Sequence, residues 1–217
     1  MKTELPILAI ETSGELCSVA LYFNESKYVE TSLKIGRSHS RLILSVIKKL
    51  LSLADADIKT LRYIAVSIGP GSFTGLRIGL AAAKGLAFGA DCRVVPVPTF
   101  DAMGLQISKL LREGEMFHLV NKVNAKELYT AKFQKIENNI KFVTGVGVVS
   151  QSEFKSAPEE RVFGNIDLPG IAVEKIVFSP SAITIASLSL KAEEEGKLVD
   201  QDLLEPFYVK DFNVIIR

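Results

Sequence analysis

The chain has 217 residues, of which 47% are hydrophobic and 24% are charged, and its formal net charge at pH 7 is +1. This length and composition predict a globular protein with a sizeable core, in one large or two small domains. The near-neutral charge excludes a general electrostatic attraction to nucleic acid or anionic lipid and leaves only local basic patches for such contacts. We therefore do not expect the chain to bind nucleic acid unaided.

The sequence predicts a cytoplasmic protein without a metal site. No apolar run approaches the length of a membrane span, and the apolar stretch Leu5–Ile10 is too short for a signal sequence, so we expect a cytoplasmic protein that contacts no membrane. Cys17 and Cys92 stand apart without a Cys-x-x-Cys pattern, which favours two unpaired thiols. His39 and His118 each lack a second ligand at metal-binding spacing, so we predict no metal site.

The first hundred residues predict three strands followed by alternating helices and strands. The predicted strands cover 5–10, 17–23, 27–33, 63–68 and 93–97, and the predicted helices cover 38–53 and 74–88. This order indicates an α/β fold, a mixed sheet with helices packed on it. Two prolines and a shift in composition place a boundary near Phe100. Residues 1–100 then form one lobe and residues 101–217 a smaller one, with its last segment a candidate to pack back on the first.

The signals of the second half are weaker. Helices are predicted over 99–113 and 181–195, and strands over 117–124 and 128–134. The pair of glycines in 145–147 favours a turn or bulge over a phosphate loop. The three glutamates of 193–195, followed by Gly196, predict a solvated helix end stopped by a glycine.

The stretch from Gly69 to Gly79 is the most informative, because three of its glycines and a proline lie between an apolar strand and a small-residue helix. Two interpretations stay open: a strand-to-helix turn with no ligand, or a loop whose helix N-terminus holds an anion. The carboxylate of Glu11, at the end of the first strand, either holds Mg²⁺ or a water or is a simple turn acid. The candidate residues for an anion or nucleotide loop are Glu11, Thr12, Ser13, Gly69, Gly71 and Ser72.

Two helices carry more apolar or small residues than one core needs. In 38–53 the apolar residues span about 200° of the helical wheel, which indicates two buried faces. In 74–89 small and apolar residues fall within about 80° of one another and form a flat stripe that admits another helix. Packing inside the subunit and association with a partner are both open. The candidate partner-binding residues are Ile43, Val46, Ile47, Leu50, Gly75, Gly79, Ala82 and Leu86.

Several segments resemble one known family. They are 7–13, 38–40 before a Leu/Ile helix, the 69–79 loop with 83–87, and the later stretches 124–129 and 205–210. Together they resemble the TsaB (YeaZ) family over nearly the whole chain. The resemblance implies the two-lobed ASKHA fold of actin, Hsp70 and sugar kinases. It also implies a role in forming N6-threonylcarbamoyladenosine at position 37 of tRNAs that read ANN codons.

The resemblance further implies a division of labour, in which TsaD transfers the threonylcarbamoyl group, a non-catalytic TsaB binds it, and TsaE supplies ATPase function. TsaD-like proteins carry a His-x-x-x-His metal motif where this chain has Thr99 and Met103, which are poor ligands. The chain also lacks the later nucleotide loops expected of TsaD. We therefore expect no catalysis and no required cofactor, with ATP and Mg²⁺ used by TsaD and TsaE.

The partners implied are TsaD in a heterodimer, TsaE, a second copy of this chain when TsaD is absent, and tRNA only through the complex. A Gly79→Leu substitution is expected to block the seam with TsaD and to leave the fold largely intact. Three alternative functions stay open. The first is a glycoprotease-like metallopeptidase, which needs a metal that we do not find in the sequence. The others are an ASKHA small-molecule kinase, since fold alone does not fix function, and a regulator of growth or division.

Overall fold

The computed structural model describes residues 5–34, 39–175 and 179–209. Of His39 it describes the backbone only. Its regular elements are β1 (Ile7–Glu11), β2 (Cys17–Asn24), β3 (Lys27–Leu33), α1 (His39–Leu53), β4 (Tyr63–Gly69), α2 (Phe73–Ala90), β5 (Val94–Pro98), α3 (Thr99–Ser108), β6 (Met116–Lys122), β7 (Glu127–Ile136), β8 (Asn139–Ser150), β9 (Arg161–Gly164), β10 (Val173–Glu174) and α4 (Ala182–Glu194). Short 3₁₀ turns cover 58–60 and 201–203. No helix among these residues is long and apolar enough to cross a membrane.

The strands form mixed sheets in two lobes, as predicted, and each sheet has five strands. The first has the order β3-β2-β1-β4-β5, with β1 to β3 antiparallel and β4 and β5 parallel to β1. The second has the order β10-β9-β6-β7-β8, with β9 and β10 parallel to β6 and the β6-β7-β8 meander antiparallel. The α/β class and the mixed sheets with flanking helices are thus confirmed.

Helices cover both faces of the first sheet. Every residue of β1 is buried, as expected for a central strand with a continuous apolar sequence. On one face, α1 and α2 pack over a core that includes Leu8, Ile47 and Leu80. On the other face, α4 packs over a core that includes Ala9 and Ile185.

The second sheet carries α3 on one face and the loop that follows β8 on the other. Phe100 of α3 and the phenylalanines of β6, β7 and β9 fill the first of these cores. On the opposite face, the carboxylate of Glu160 in the loop contacts His118 of β6 at 2.7 Å and Lys132 of β7 at 2.5 Å. These contacts attach the loop to the sheet.

The last part of the chain returns to the first lobe. Besides α4, the segment after it contacts that lobe, because Val199 pairs with Val94 of β5 and Leu204 is buried in the core beneath α2. The backbone N–H of Phe207 donates to the carbonyl of Ile68 at 2.8 Å. The predicted boundary near residue 100 places α4 in the second lobe, whereas in the structure α4 packs on the sheet of the first lobe.

Three local features differ from or refine the sequence predictions. The helix predicted over 99–113 ends at Ser108, because turns at 107–111 bring Leu111 into the core. Strands β8 to β10 were not predicted, and the 145–147 glycines lie in β8 where its register against β7 shifts. As predicted, α4 ends at a glycine: Gly196 has φ +73°, and Gly196 and Lys197 donate to the carbonyls of Glu193 and Ala192.

Candidate functional site

The glycine loop connects β4 to α2 and lies against the turn that follows β1. Gly69 has φ +110° and precedes a cis bond to Pro70. Ser72 caps α2, since its hydroxyl accepts a hydrogen bond from the N–H of Gly75 at 3.2 Å. The N–H of Ser72 in turn donates to the carbonyl of Ser13 at 2.7 Å. The two loops therefore fix each other through backbone contacts, as a turn under heavy constraint requires.

Glycines are needed where α2 meets the β1 turn. A Cβ on Gly71 would lie 2.6 Å from the carbonyl oxygen of Ser13, and one on Gly75 or Gly79 would collide with Thr12. The hydroxyl of Thr12 donates to the carbonyl of Gly75 at 2.8 Å. The prediction that Gly75 and Gly79 admit a partner helix is therefore wrong. They admit Thr12 of the same chain, and Gly79→Leu would disturb the fold.

Glu11 is fully buried at the end of β1. Its Oε1 accepts hydrogen bonds from the N–H of Ser13 at 2.6 Å and from the Ser13 hydroxyl at 2.5 Å. Burial raises its pKa to about 7, against the lowering effect of the bonds from Ser13 and of the Ser67 hydroxyl. Its Oε2 has no hydrogen-bond partner among the described residues. The Ser13 contacts fit a turn acid, and the unpartnered Oε2 leaves an acceptor for a water or Mg²⁺, so both interpretations of Glu11 stay open.

A polar cleft of about 430 Å³ separates the two lobes at this point. Ser13, Gly71 and Ser72 line it from the first lobe, and Asn121 and Lys122 are among the residues that face them from the second. Glu11, Thr12 and Gly69 do not line the cleft. The structure thus brings three of the six predicted loop residues to one cleft at the N-terminus of α2, and anion binding there stays a prediction.

The four predicted partner-binding residues of α1 are core residues. Ile43, Val46, Ile47 and Leu50 are at most 9% exposed and pack against the first sheet. They do not form an exposed partner face, so this part of the prediction is corrected. Of these four, only Ile43 and Ile47 reach the linings of the open grooves between α1 and α2. The wide apolar arc of α1 arises because one side packs on the sheet and α2 while Leu44, at 56% exposure, points outward. Ser38 lies outside the described residues.

The outward face of α2 overlaps only part of the predicted stripe. Gly85 and Gly89 have no atom within 4 Å of an added Cβ, and Phe88 is 78% exposed. Of the predicted residues, Ala82 and Leu86 are half-buried and border open grooves between α1 and α2. We call this outward face the α1–α2 surface; it comprises Leu44, Phe73, Ile78, Ala81, Ala82, Gly85, Leu86, Phe88 and Gly89. The spacing of 78, 81, 82, 85 and 89 was the sequence signal for it.

Thr99 and Met103 are both buried on α3. The Thr99 hydroxyl accepts a hydrogen bond from the N–H of Gly69 at 3.1 Å, which ties α3 to the glycine loop. The sulfur of Met103 lies in the aromatic core and accepts from the Asn121 amide at 3.5 Å. Both side chains therefore serve packing. Nowhere in the described parts of the chain do three His, Cys, Asp or Glu side chains form a metal-binding group.

The comparisons with known proteins agree on one family. The model of the family "TsaD: tRNA N6-adenosine threonylcarbamoyltransferase" matches residues 33–197, which is most of the chain. The chain is similar to "tRNA threonylcarbamoyladenosine biosynthesis protein TsaB" of Escherichia coli, with 27% identity over 94% of each protein. It belongs to the TsaB (YeaZ) branch of this family.

Further TsaB relatives match over shorter segments. The protein of Buchnera aphidicola from Acyrthosiphon pisum is 34% identical over 62% of this chain and 60% of its own length. That of Haemophilus influenzae is 41% identical over 46% of this chain and 42% of its own length. These two alignments thus span less than two thirds of the relatives that they match.

A solved structure shows the same fold. It is described as an uncharacterized protein with similarity to peptidase YEAZ from Pseudomonas aeruginosa, and it superimposes with a TM-score of 0.80. The superposition covers 94% of this chain and 99% of that one at 24% identity. The two-lobed, ASKHA-like fold of this TsaB-family chain is therefore shown.

Proposed function

We propose that this chain is a non-catalytic subunit of the complex that forms N6-threonylcarbamoyladenosine at position 37 of tRNAs reading ANN codons. It binds TsaD through the α1–α2 surface. The observation that carries the proposal is an exposed apolar surface on α1 and on α2, the helix that follows the glycine loop, in a chain of the TsaB family.

The composition of this surface suits association with helices. Leu44 on α1 and Phe88 on α2 are 56% and 78% exposed, and large exposed apolar side chains are suited to contact with a partner. Gly85 and Gly89 on α2 have no atom within 4 Å of an added Cβ, which leaves room for a partner backbone to approach closely. Arg77 stacks over the Phe73 ring at 3.9 Å and supplies a charged edge. Burial of the apolar groups would drive binding, and the small residues would set its geometry.

The contacts of Thr99 and Met103 support a non-catalytic role. The resemblance to TsaD-like proteins places both residues where those proteins carry metal-binding histidines. Here one hydroxyl holds the glycine loop and one thioether fills an aromatic core, so both groups already have structural tasks.

The remaining partners follow from this role. The chain itself requires no cofactor, while TsaD and TsaE use ATP and Mg²⁺. A second copy of the chain covers the same α1–α2 surface when TsaD is absent, and tRNA is contacted through the complex.

Size-exclusion chromatography with light scattering tests the proposal on the chain alone and mixed with TsaD of the same organism. We expect a heterocomplex with the wild-type chain and its loss with Leu44→Glu or Phe88→Glu. Leu110→Glu is the matched control, because Leu110 is 53% exposed but lies just after α3. A complex that forms equally with all three variants would refute the assigned surface. Zinc-dependent peptide hydrolysis or phosphoryl transfer by the isolated chain would refute the non-catalytic role.

A further inference from the structure

A second cleft between the lobes lies away from the glycine loop. Residues of β4, β5, α4 and β8 surround it, and its volume is about 550 Å³. Its walls are mainly apolar and include Ile68, Val97, Ile140, Phe142 and Leu188. It shares no lining residue with the cleft beside Ser72 or with the grooves of the α1–α2 surface. Cavities of roughly 300–1,000 Å³ with apolar walls and a few polar groups are typical of small-molecule sites.

Two carboxylates, Asp101 and Glu195, line this cleft, and Asp101 is the one without an ion pair to a described residue. Asp101 lies in the first turn of α3 and lines the cleft beside Pro98. Burial raises its pKa, against lowering effects from its own backbone N–H and from Lys197 and Lys191. Among the described residues no other group forms a hydrogen bond or ion pair with it. The cleft therefore holds an acidic group without a cationic partner in contact.

Two ammonium groups border the same cleft. Lys197 is already paired with Glu195 at 2.5 Å. Lys191 lines the cleft from α4 and forms no ion pair with any described residue. Among the described lining residues, the unpaired charges are thus the Asp101 carboxylate on α3 and the Lys191 ammonium on α4.

We propose that this cleft binds a zwitterionic small molecule with an apolar body, either a large apolar amino acid or a short apolar peptide. The ligand's ammonium binds Asp101, its carboxylate binds Lys191, and its apolar part contacts Phe142 and Leu188. Because Lys197 and its carboxylate partner neutralise each other, the free charges are the Asp101 carboxylate and the Lys191 ammonium. A zwitterion complements both of them, whereas a simple cation or anion meets one like charge.

Titration of the ¹⁵N-labelled chain, followed by amide chemical shifts, tests this site. The probes are L-phenylalanine and the dipeptide leucyl-phenylalanine, with N-acetyl-phenylalanine and phenylalanine amide as analogues that each lack one charge. We expect shifts at residues of the cleft with a zwitterion, and at least tenfold weaker binding of both analogues. Tighter binding of the dipeptide than of the amino acid identifies the ligand as a peptide, and the reverse identifies an amino acid.

Variants assign the two contacts. Asp101→Asn is expected to weaken zwitterion binding at least tenfold, with little effect on the N-acetyl analogue, which lacks the ammonium. Lys191→Gln, at an exposed position, is expected to weaken zwitterion binding by a similar factor, with little effect on phenylalanine amide, which lacks the carboxylate. Asp167→Asn is the matched control, because Asp167 is 88% exposed and lies outside the cleft. Absence of shifts with both zwitterions, or unchanged binding by folded Asp101→Asn and Lys191→Gln, overturns the proposal. The test needs only the isolated chain, so its outcome is independent of TsaD binding.

Discussion

The hydroxyl of Thr12 donates a hydrogen bond to the carbonyl of Gly75 and occupies the space that side chains at Gly75 and Gly79 would need. This contact joins the first strand to the first turns of α2. It also settles which face of α2 turns inward. Because Gly75 and Gly79 face Thr12, residues near Gly85 face outward and are available for association.

The two faces of α2 should respond oppositely to an added methyl group. Gly79→Ala is expected to lower the free energy of unfolding by about 1–3 kcal/mol, because its Cβ collides with Thr12. Gly85→Ala has open space around its Cβ and should raise the free energy of unfolding by about 0.5–1 kcal/mol, as helical Gly→Ala changes do. Urea denaturation measures both. A destabilising Gly85→Ala would contradict the orientation of the helix.

Glu11 should make the protein less stable as the pH rises toward neutral. Its pKa is raised from 4.5 in the unfolded chain to about 7, so the folded state binds the proton more tightly between these values. The stability gained by protonation is fully present below pH 4.5 and is lost as the pH rises through 7, a change of about 3 kcal/mol by linkage.

Glu11→Gln tests this dependence, because the amide keeps an oxygen acceptor for Ser13 and cannot titrate. Relative to wild type, the variant should gain stability steadily from pH 4.5 to pH 7 and remain level above it. Denaturation midpoints measured across this range provide the comparison. Parallel pH profiles of the two proteins would show that Glu11 has an ordinary pKa.

The ion pair between Glu160 and Lys132 should stabilise the loop over the second sheet. Glu160→Gln leaves the Lys132 ammonium, at 22% side-chain exposure, without its partner. We expect a loss of about 2 kcal/mol, below the roughly 3–5 kcal/mol typical of fully buried pairs, because Lys132 keeps some contact with solvent.

A second substitution separates charge from packing at this pair. Adding Lys132→Met removes the unpaired ammonium and should recover part of the lost stability. Equilibrium unfolding of the single and double variants gives the coupling. Strictly additive losses would indicate that Glu160 acts only through its contact with His118.

The sequence was sufficient for the elements with strong local patterns. The uniformly apolar 7–10 segment and the alternation in 17–23 predicted the central strands, and Gly196 predicted the end of α4. β8 was missed because none of its residues is buried and its glycines break the alternation. In the candidate site, the sequence located the glycine loop but not its packing. On a helical wheel, α2 has small residues on two faces, and only the contact of Thr12 with Gly75 and Gly79 shows which face is buried.

The affinity of the chain for TsaD, measured by isothermal titration calorimetry with Gly85→Trp, tests the central claim most directly. Gly85 is exposed with no neighbour around an added Cβ, so the variant should fold normally. Leu110→Trp serves as the control outside the α1–α2 surface. If TsaD binds this surface, Gly85→Trp should weaken binding at least tenfold while Leu110→Trp leaves it unchanged. Equal affinity of both folded variants for TsaD would contradict the account.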